Sequence, residues 1–286
     1  MSFPNTIYFC NKTKEGSERY LTNWKRLNPS YEMQVYDDNM CREFIIKHYG
    51  NFYGELFDFL QDGPIKADFW RLCLLYKLGG IYSDVDNVPL VSLDSFIDKS
   101  ADFLTCSAYM NEPRGTFSFN PNLIMARKGE PILKKCIEWY VSRYKNRIPY
   151  NYWQWSVMRA FTDTLVLENY DKKEGLYNYE GRVVQILEER PGDDFYDAHN
   201  VYKGVRIFNN RSPDWNWDTH SFISPKEPAA SEVKPRKSKM IFLIIMGVLI
   251  ASCVGILVYT GGWEKLWRLL PHRDSNPGRL GESQLS

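Results

Sequence analysis

Two aspartates separated by one residue, Asp84 and Asp86, have the type and spacing to hold a metal ion. They follow a short apolar pattern, Gly80-Ile81-Tyr82, that predicts a strand. On a strand, the side-chain period of two would place both carboxylates on one side and Val85 on the other. Two neighbouring acids repel each other unless a cation lies between them, and hard divalent cations such as Mg²⁺ or Mn²⁺ suit oxygen ligands. A lone pair of this kind also occurs in solvated turns, so the residues before it matter.

An acid and a base precede the pair on a predicted helix. Asp68 and Arg71 are three residues apart and therefore share one helix face. Pro64 suits the first turn, and Gly79-Gly80 suits the C-terminal end. Apolar residues at helical spacing predict a buried side: Ile65, Phe69, Leu72, Leu75, Tyr76 and Leu78. The order of helix, glycine stop, strand and paired acids makes the pattern far more specific than a lone pair of aspartates.

The segment from Asp68 to Asp86 resembles the D-x-D sugar-binding region of the glycosyltransferases related to yeast α-1,6-mannosyltransferases and inositol-phosphoceramide mannosyltransferases, a family-32-like group. A more remote resemblance is to the glucosylating clostridial toxins. The resemblance is strong over residues 66–89 and extends from Asn5 to Arg127. It implies a GT-A fold, a nucleotide-sugar donor, a divalent metal and retention of the anomeric configuration.

The resemblance also implies roles for the charged residues. Asp68 and Arg71 would bind hydroxyls of the donor sugar, and Arg71 would also reach the diphosphate. Asp86 would hold Mn²⁺ or Mg²⁺ directly, and Asp84 would hold it directly or through water and the ribose. Asp68, Arg71, Asp84 and Asp86 are thus the predicted catalytic residues, and Asp84 also belongs to the donor site.

Three further site residues are implied outside this segment. In the resembling families the first strand ends near the donor, which implies a donor-binding role for Tyr8. The His and Trp often found in this strand are missing here, and a place in the core is the alternative for Tyr8. Asn120, or Asn122, matches an asparagine near the donor sugar, but both also suit a turn. His220, or Asp218, is the predicted additional metal ligand, with a surface pair as the alternative.

The whole chain predicts an α/β fold with one sizeable domain and an appendage. It has 286 residues, and its 36 basic residues nearly balance 35 acidic ones, so no basic field favours nucleic acid as a partner. Alternating strand and helix patterns predict a mostly parallel, Rossmann-like sheet flanked by helices. Ligands of such sheets lie beyond the carboxyl ends of the strands, where Asp84 and Asp86 are expected. Six cysteines without a C-x-x-C pair predict scattered buried thiols and favour a reducing compartment.

The sequence predicts a catalytic domain at 1–223, followed by a charged, proline-rich linker at 224–239. A transmembrane helix is predicted at 240–260, and we expect the tail at 261–286 to be disordered. Residues 240–259 contain no charge, and twenty helical residues span about 30 Å, the thickness of the hydrocarbon core. The denser cluster of basic residues before the helix, together with an N-terminus that lacks a signal-peptide pattern, favours a cytosolic catalytic domain. A Golgi or ER lumen is the alternative.

These patterns lead to one functional prediction and two alternatives. The prediction is a metal-dependent transferase that moves a hexose, with mannose first, from GDP-mannose or a UDP-sugar to a glycan or glycolipid acceptor. The first alternative is a catalytically decayed, membrane-tethered protein that binds a sugar or nucleotide. The second is a metal-dependent phosphoesterase, which would need further acids or histidines for two metals.

Overall fold

The computed structural model describes residues 5–12, 17–109, 117–192 and 198–210, and the backbone of 215–216 and 221–222. The predicted linker, transmembrane helix and tail therefore lie outside the described residues, as do Asp218 and His220. Among the helices that are described, none is long and apolar enough to cross a membrane.

Helices and strands alternate through the first half of the chain, as predicted. The helices are α1 (Glu18–Leu27), α2 (Asp38–Tyr49), α3 (Asn51–Phe59), α4 (Gly63–Leu78), α5 (Pro131–Lys145) and α6 (Val157–Thr164). The strands of the first half are β1 (Thr6–Cys10), β2 (Glu32–Tyr36), β3 (Gly80–Ser83), β4 (Val88–Pro89), β5 (Phe103–Cys106) and β6 (Leu123–Ala126). The later strands are β7 (Gly175–Tyr179), β8 (Arg182–Arg190), β9 (His199–Tyr202), β10 (Val205–Asn209), β11 (Trp215–Asn216) and β12 (Ser221–Phe222).

The sheet is mixed rather than mostly parallel, which corrects the prediction. Its order is β2-β1-β3-β6-β5-β8-β9-β10-β4, and β7 pairs with β8. Within this described sheet β1 runs parallel to β2 and β3, and β5 runs parallel to β8. The remaining pairings in it are antiparallel. The α/β class is confirmed, but parallel pairing is limited to the region around β1 and to the pair β5–β8.

Two tight hairpins explain much of the antiparallel part. Glu180 and Gly181 join β7 to β8 with φ angles of +50° and +79°, and Lys203 and Gly204 join β9 to β10 with +51° and +73°. Positive φ at both central residues is the geometry of the two-residue turns that match the twist of paired strands. Each hairpin turns the chain back on itself, so the strands it joins must be antiparallel.

Helix α4 is enclosed by other elements of the described domain. It packs against α2, α3, α5 and α6 and against strands β3 and β6. The sequence predicted one buried side, yet every residue from Asp68 to Leu75 is buried. A helix enclosed all round is a core element. Because Asp68 and Arg71 lie on it, their charges are carried into the interior.

The carboxyl ends of four strands meet at one edge of the sheet. β3 and β5 both run antiparallel to β6, so β5 has the same direction as β1 and β3, and β8 follows β5. One side of the sheet packs against a core that includes Tyr8, Phe69 and Tyr82, and the other against Trp24 and Phe9. The residues that directly follow β1, β3, β5 and β8 are therefore brought to the same edge.

Candidate active site at the carboxyl edge of the sheet

The D-x-D residues form a turn and not a continuing strand. β3 ends at Ser83, and the N–H of Asn87 donates to the carbonyl oxygen of Asp84 at 3.2 Å. The prediction that a strand period places both carboxylates on one side is therefore wrong in its reasoning. Val85 is buried, whereas Asp84 and Asp86 are both partly exposed. The turn leaves both acids accessible from solvent at the end of β3.

Arg71 joins the helix to this turn. Its Nη2 lies 2.8 Å from Oδ1 of Asp68, and its Nη1 lies 3.0 Å from Oδ1 of Asp84. The same Nη1 donates to the carbonyl oxygen of Pro121 at 2.9 Å. The side chains of Arg71 and Asp68 are 7% and 10% exposed, and that of Asp84 is 32% exposed. The predicted meeting of these three residues is confirmed, and the guanidinium connects α4, the turn after β3 and the segment before β6.

Tyr82 completes this cluster and was not predicted. The Arg71 guanidinium lies over its ring, 4.1 Å from the centroid, and its hydroxyl donates to Oδ1 of Asp84 at 2.8 Å. A cation over an aromatic face is stabilised by the ring quadrupole. Tyr82 was available in the sequence, two residues before Asp84, but only the tertiary fold brings Arg71 over its ring.

Asp68 also connects α4 to α6. Its Oδ2 accepts a hydrogen bond from the N–H of Val157 at 2.9 Å. Burial raises the pKa of the Asp68 carboxyl to about 6, although Arg71 and the Val157 N–H act in the opposite direction. The nearby charge of Asp84 adds to the increase. The carboxyl therefore titrates close to neutral pH.

Two asparagines hold the backbone of the turn. The carbonyl oxygen of Asn122 accepts from the N–H of Asp84 and from Nδ2 of Asn87, both at 2.9 Å. Nδ2 of Asn87 also donates to Oγ of Ser83 at 3.0 Å, and Nε1 of Trp24 donates to the carbonyl oxygen of Asn87 at 3.1 Å. Asn87 was missed in the sequence, although an asparagine directly after paired aspartates is a turn signal.

Asn120 and Tyr8, the two predicted donor-binding residues outside this cluster, are placed differently. Nδ2 of Asn120 donates to Oε1 of Glu189 at 2.7 Å, at the end of β8 and the same edge of the sheet. Tyr8 is only 5% exposed and packs edge-on against Tyr36 at 6.3 Å between centroids. Tyr8 therefore occupies the core position that was its alternative, while the donor-binding roles of both residues stay predictions.

The charges at the edge suit a divalent cation. Three carboxylates and one guanidinium, those of Asp68, Asp84, Asp86 and Arg71, carry a formal net charge of −2 when ionised. Arg71 and Tyr82 both contact Oδ1 of Asp84, and the Asp84 side chain is 32% exposed, so its carboxylate is within reach of a ligand from solvent. The described residues contain no group of three His, Cys, Asp or Glu that could enclose a metal. One or two carboxylates completed by water and phosphate oxygens are the usual arrangement for Mg²⁺ at nucleotide sites, so the set fits such an ion.

Comparison with known proteins identifies the region around these residues. Residues 15–102 match the family described as the glycosyltransferase sugar-binding region containing a DXD motif. The chain is 25% identical over 235 residues to the initiation-specific alpha-1,6-mannosyltransferase of Candida albicans, covering 73% of this chain and 57% of that protein. It is 35% identical over 88 residues to inositol phosphoceramide mannosyltransferase 3 of Schizosaccharomyces pombe, covering 30% of this chain and 24% of that protein.

The relatives are longer than the part that matches. The match to the Saccharomyces cerevisiae initiation-specific alpha-1,6-mannosyltransferase has 25% identity over 170 residues and covers 54% of this chain and 32% of that protein. The chain thus spans less than two thirds of the length of the curated relatives it matches. Residues 15–102, which contain Asp68, Arg71, Asp84 and Asp86, therefore match a glycosyltransferase sugar-binding region with a DXD motif, and the chain is similar to these mannosyltransferases.

Proposed function

We propose that this chain transfers a hexose from a nucleotide-diphosphate sugar to a glycan or glycolipid acceptor, with the help of a divalent metal. The observation that carries the proposal is the cluster in which Arg71 binds Asp68 and Asp84 beside the exposed edge of the sheet. The names of the relatives, which are mannosyltransferases, support mannose as the sugar and GDP-mannose as the first donor to test. UDP-sugars are the alternative donors.

Asp84 and Asp86 are the residues that would hold the metal, Mn²⁺ or Mg²⁺. When bound, the ion would supply positive charge to the diphosphate as the glycosidic bond breaks. Asp84 offers Oδ2, since Oδ1 already contacts Arg71 and Tyr82. Asp86 lies two residues further along the same turn and is also accessible. His220 is proposed as an additional ligand from the sequence alone.

Arg71 acts in this proposal mainly by positioning the acids. Four of its N–H groups are directed to Asp68, Asp84 and the carbonyl oxygens of Ala67 and Pro121. A guanidinium so engaged has one N–H left, so its direct contribution to the diphosphate is limited to a single hydrogen bond. Its main effect is to keep the Asp84 carboxylate in one orientation, which pre-organises a metal ligand.

The same family resemblance supports a GT-A fold and retention of the anomeric configuration. The parallel strands β2, β1 and β3, with the acids after β3, are compatible with a nucleotide bound at the carboxyl edge. Retention would follow if the acceptor hydroxyl attacked on the face from which the diphosphate departs. The anomeric configuration of the product, read by NMR, tests this part of the proposal.

The uncharged segment at 240–260 supports an anchor in the membrane, next to a catalytic domain at 1–223. The basic residues at 234–239 favour a catalytic domain on the cytosolic side, and a luminal domain is the alternative. An anchored transferase would act on acceptors that are lipid-linked or lie near the membrane.

The proposal is tested by a screen of nucleotide sugars. The full chain is incubated with GDP-mannose, UDP-glucose, UDP-galactose or UDP-N-acetylglucosamine, with Mn²⁺ or with a chelator, and the released nucleoside diphosphate is measured. We expect release from one donor above all others, and only with the metal. Binding of a nucleotide sugar without any release would instead favour the catalytically decayed protein.

A further inference from the structure

Two cysteine sulfurs lie in contact at the carboxyl edge of the sheet. Sγ of Cys10, the last residue of β1, is 3.6 Å from Sγ of Cys41 in α2. Both residues are free thiols in this structure. A disulfide bond measures about 2.05 Å, so the two sulfurs need to approach by only about 1.5 Å. The residues are 31 positions apart in the chain, so the contact is a product of the fold.

The other described cysteines have no such neighbour. Cys73, Cys106 and Cys136 are buried. The sulfur of Cys136 pairs with Oγ1 of Thr164 at 3.1 Å, and that of Cys106 lies 3.9 Å from the carbonyl oxygen of Leu123. Within the described part of the chain, the contact between Cys10 and Cys41 is thus the only one between two sulfurs.

The two thiols differ in access to solvent. Cys10 is partly exposed, whereas Cys41 is only 1% exposed. Burial raises the pKa of the Cys41 thiol far above its usual value, and hydrogen bonding to Cys10 adds to the increase. A thiol attacks a disulfide as the thiolate, and only where the reagent can reach it. Cys10 is therefore the residue that an external disulfide can meet first, with Cys41 directly behind it.

We propose that Cys10 and Cys41 form a reversible disulfide by exchange with a small-molecule disulfide such as oxidised glutathione. The Cys10 thiolate attacks one sulfur of the reagent, forming a mixed disulfide and releasing one thiol. The Cys41 sulfur, losing its proton, then displaces the second thiol from Cys10. The protein gives up two electrons and two protons, which the reagent carries away as two thiols.

The bond would fasten the end of β1 to α2 beside the candidate active site. β1 pairs with β3, so that Tyr8 lies opposite Tyr82 and Cys10 follows two residues later. The pair therefore lies next to the strand that leads into the D-x-D turn. The inference depends on the sulfur geometry alone and is independent of the proposed transferase activity.

The test uses the folded full chain in a Cys253→Ser background, so that only the described cysteines remain. The protein is equilibrated with oxidised and reduced glutathione, free thiols are blocked with N-ethylmaleimide, and peptides are analysed by mass spectrometry. We expect a linked peptide pair containing Cys10 and Cys41. We expect Cys41→Ser to accumulate glutathione on Cys10, and Cys10→Ser to leave Cys41 as a free thiol.

Two controls test whether the disulfide between Cys10 and Cys41 depends on the folded structure and on these two residues. Cys136→Ser removes a buried thiol without a sulfur neighbour and should leave the linked pair unchanged. The Cys253→Ser chain in urea should lose the preference for this pairing, because the contact exists only in the folded protein. The inference is overturned if the folded Cys253→Ser chain keeps both thiols unlinked, if it accumulates the Cys10 mixed disulfide as fully as the chain that also carries Cys41→Ser, or if urea leaves the linkage unchanged.

Discussion

At the scale of single residues, Arg71 has the largest number of connections at the site. One guanidinium contacts the carboxylates of Asp68 and Asp84, the carbonyl oxygen of Pro121 and the face of Tyr82. A buried charge is costly unless it is paired and hydrogen-bonded, and here the pairing is nearly complete. The geometry of the site therefore depends on this side chain more than on any one carboxylate.

The first prediction concerns removal of that charge. Arg71→Ala leaves the buried Asp68 carboxylate without its counter-ion, and we expect the free energy of unfolding to fall by about 3–5 kcal/mol. Urea unfolding of the full chain measures it. The matched control is Arg42→Ala, which breaks an exposed pair with Asp58 at 2.7 Å and should change stability little. Equal effects of the two substitutions would contradict the role given to Arg71.

The second prediction concerns pH. Burial raises the pKa of Asp68 from 3.8 to about 6, so the folded protein binds this proton more tightly than the unfolded chain does. The resulting stabilisation is complete below about pH 4 and is lost as the pH rises through about 6. Relative to Asp68→Asn, the wild type should lose up to about 3 kcal/mol of unfolding free energy between pH 4 and 7.

Urea unfolding of both proteins at several pH values provides the comparison. A wild-type stability that rises with pH relative to Asp68→Asn would mean that Arg71 keeps the carboxyl ionised throughout, contrary to the prediction. A difference that does not vary with pH would mean that Asp68 does not titrate in this range.

At the scale of elements, the glycine at the start of β3 determines how closely β1 and β3 pack. Gly80 has a φ of +117°, and a Cβ there would lie 2.7 Å from Cε2 of Tyr8 and 3.0 Å from the carbonyl oxygen of Thr6. Gly50, between α2 and α3, has a φ of +89° with open space around its Cβ position. Alanine at Gly50 would therefore add backbone strain only, whereas alanine at Gly80 would add backbone strain and a packing clash.

The third prediction uses this difference. Gly50 has a φ of +89° and a ψ of 176°, a backbone conformation adopted almost only by glycine, so Gly50→Ala should cost about 1–3 kcal/mol of stability from backbone strain alone. Gly80→Ala also imposes a positive φ on alanine and must in addition displace the Tyr8 ring and the β1 backbone, so we expect a distinctly larger loss in thermal or urea unfolding. Equal losses from the two substitutions would show that β1 can move away from β3 at little cost.

The sequence predicted local elements well where the signals were local. The helix that became α4 was predicted from Pro64 in its first turn and from Gly79-Gly80 at its C-terminal end, and it is observed as Gly63–Leu78. In the tryptophan-rich stretch 150–167, a 3-10 turn at Trp153–Trp155 precedes α6, because the Ser156 side chain caps the new helix by accepting from the N–H of Arg159. Cap residues inside an aromatic stretch thus outweigh the helical pattern.

The candidate site was predicted only in part, because some of its contacts depend on local spacing and others on long-range packing. The three-residue spacing predicted that Asp68 and Arg71 share one helix face, and the family resemblance predicted that both lie near Asp84. The ion pairs of Arg71 with Asp68 and with Asp84 agree with this. The strand-period argument failed because β3 ends one residue before Asp84. Tyr82 and Asn87 were missed because their contacts with Arg71, Trp24 and Asn122 depend on how distant elements pack.

At the scale of the whole molecule, the sheet illustrates the limit of sequence patterns. Strand and helix alternation predicted parallel pairing, which holds around β1 and between β5 and β8, whereas the other pairings of the sheet are antiparallel. Strand order and direction result from contacts between residues far apart in the chain, and the Glu-Gly and Lys-Gly hairpins were the available local signals. The proposed membrane anchor belongs to this scale, since it would determine where the domain meets its acceptor.

The fourth prediction tests the anchor. With residues 240–260 in the bilayer, the full chain should stay in the membrane pellet after alkaline carbonate extraction. Leu249→Arg with Ile250→Arg should release it, because each arginine at the centre of a spanning helix costs about 2.5–3.5 kcal/mol. Two arginines in the linker, Ser231→Arg with Val233→Arg, form the control and should leave the chain in the pellet. Extraction of the wild-type chain by carbonate would contradict the anchor.

The central claim is that the D-x-D turn holds a metal for the departure of a nucleoside diphosphate. The most direct measurement is Mn²⁺-stimulated release of nucleoside diphosphate from the preferred donor by the wild type, Asp86→Asn and the exposed control Asp58→Asn. We predict that Asp86→Asn lowers the stimulated rate on the order of 100-fold or more while its urea unfolding matches the wild type, and that Asp58→Asn remains active. Undiminished turnover with the same Mn²⁺ dependence in Asp86→Asn would contradict the account.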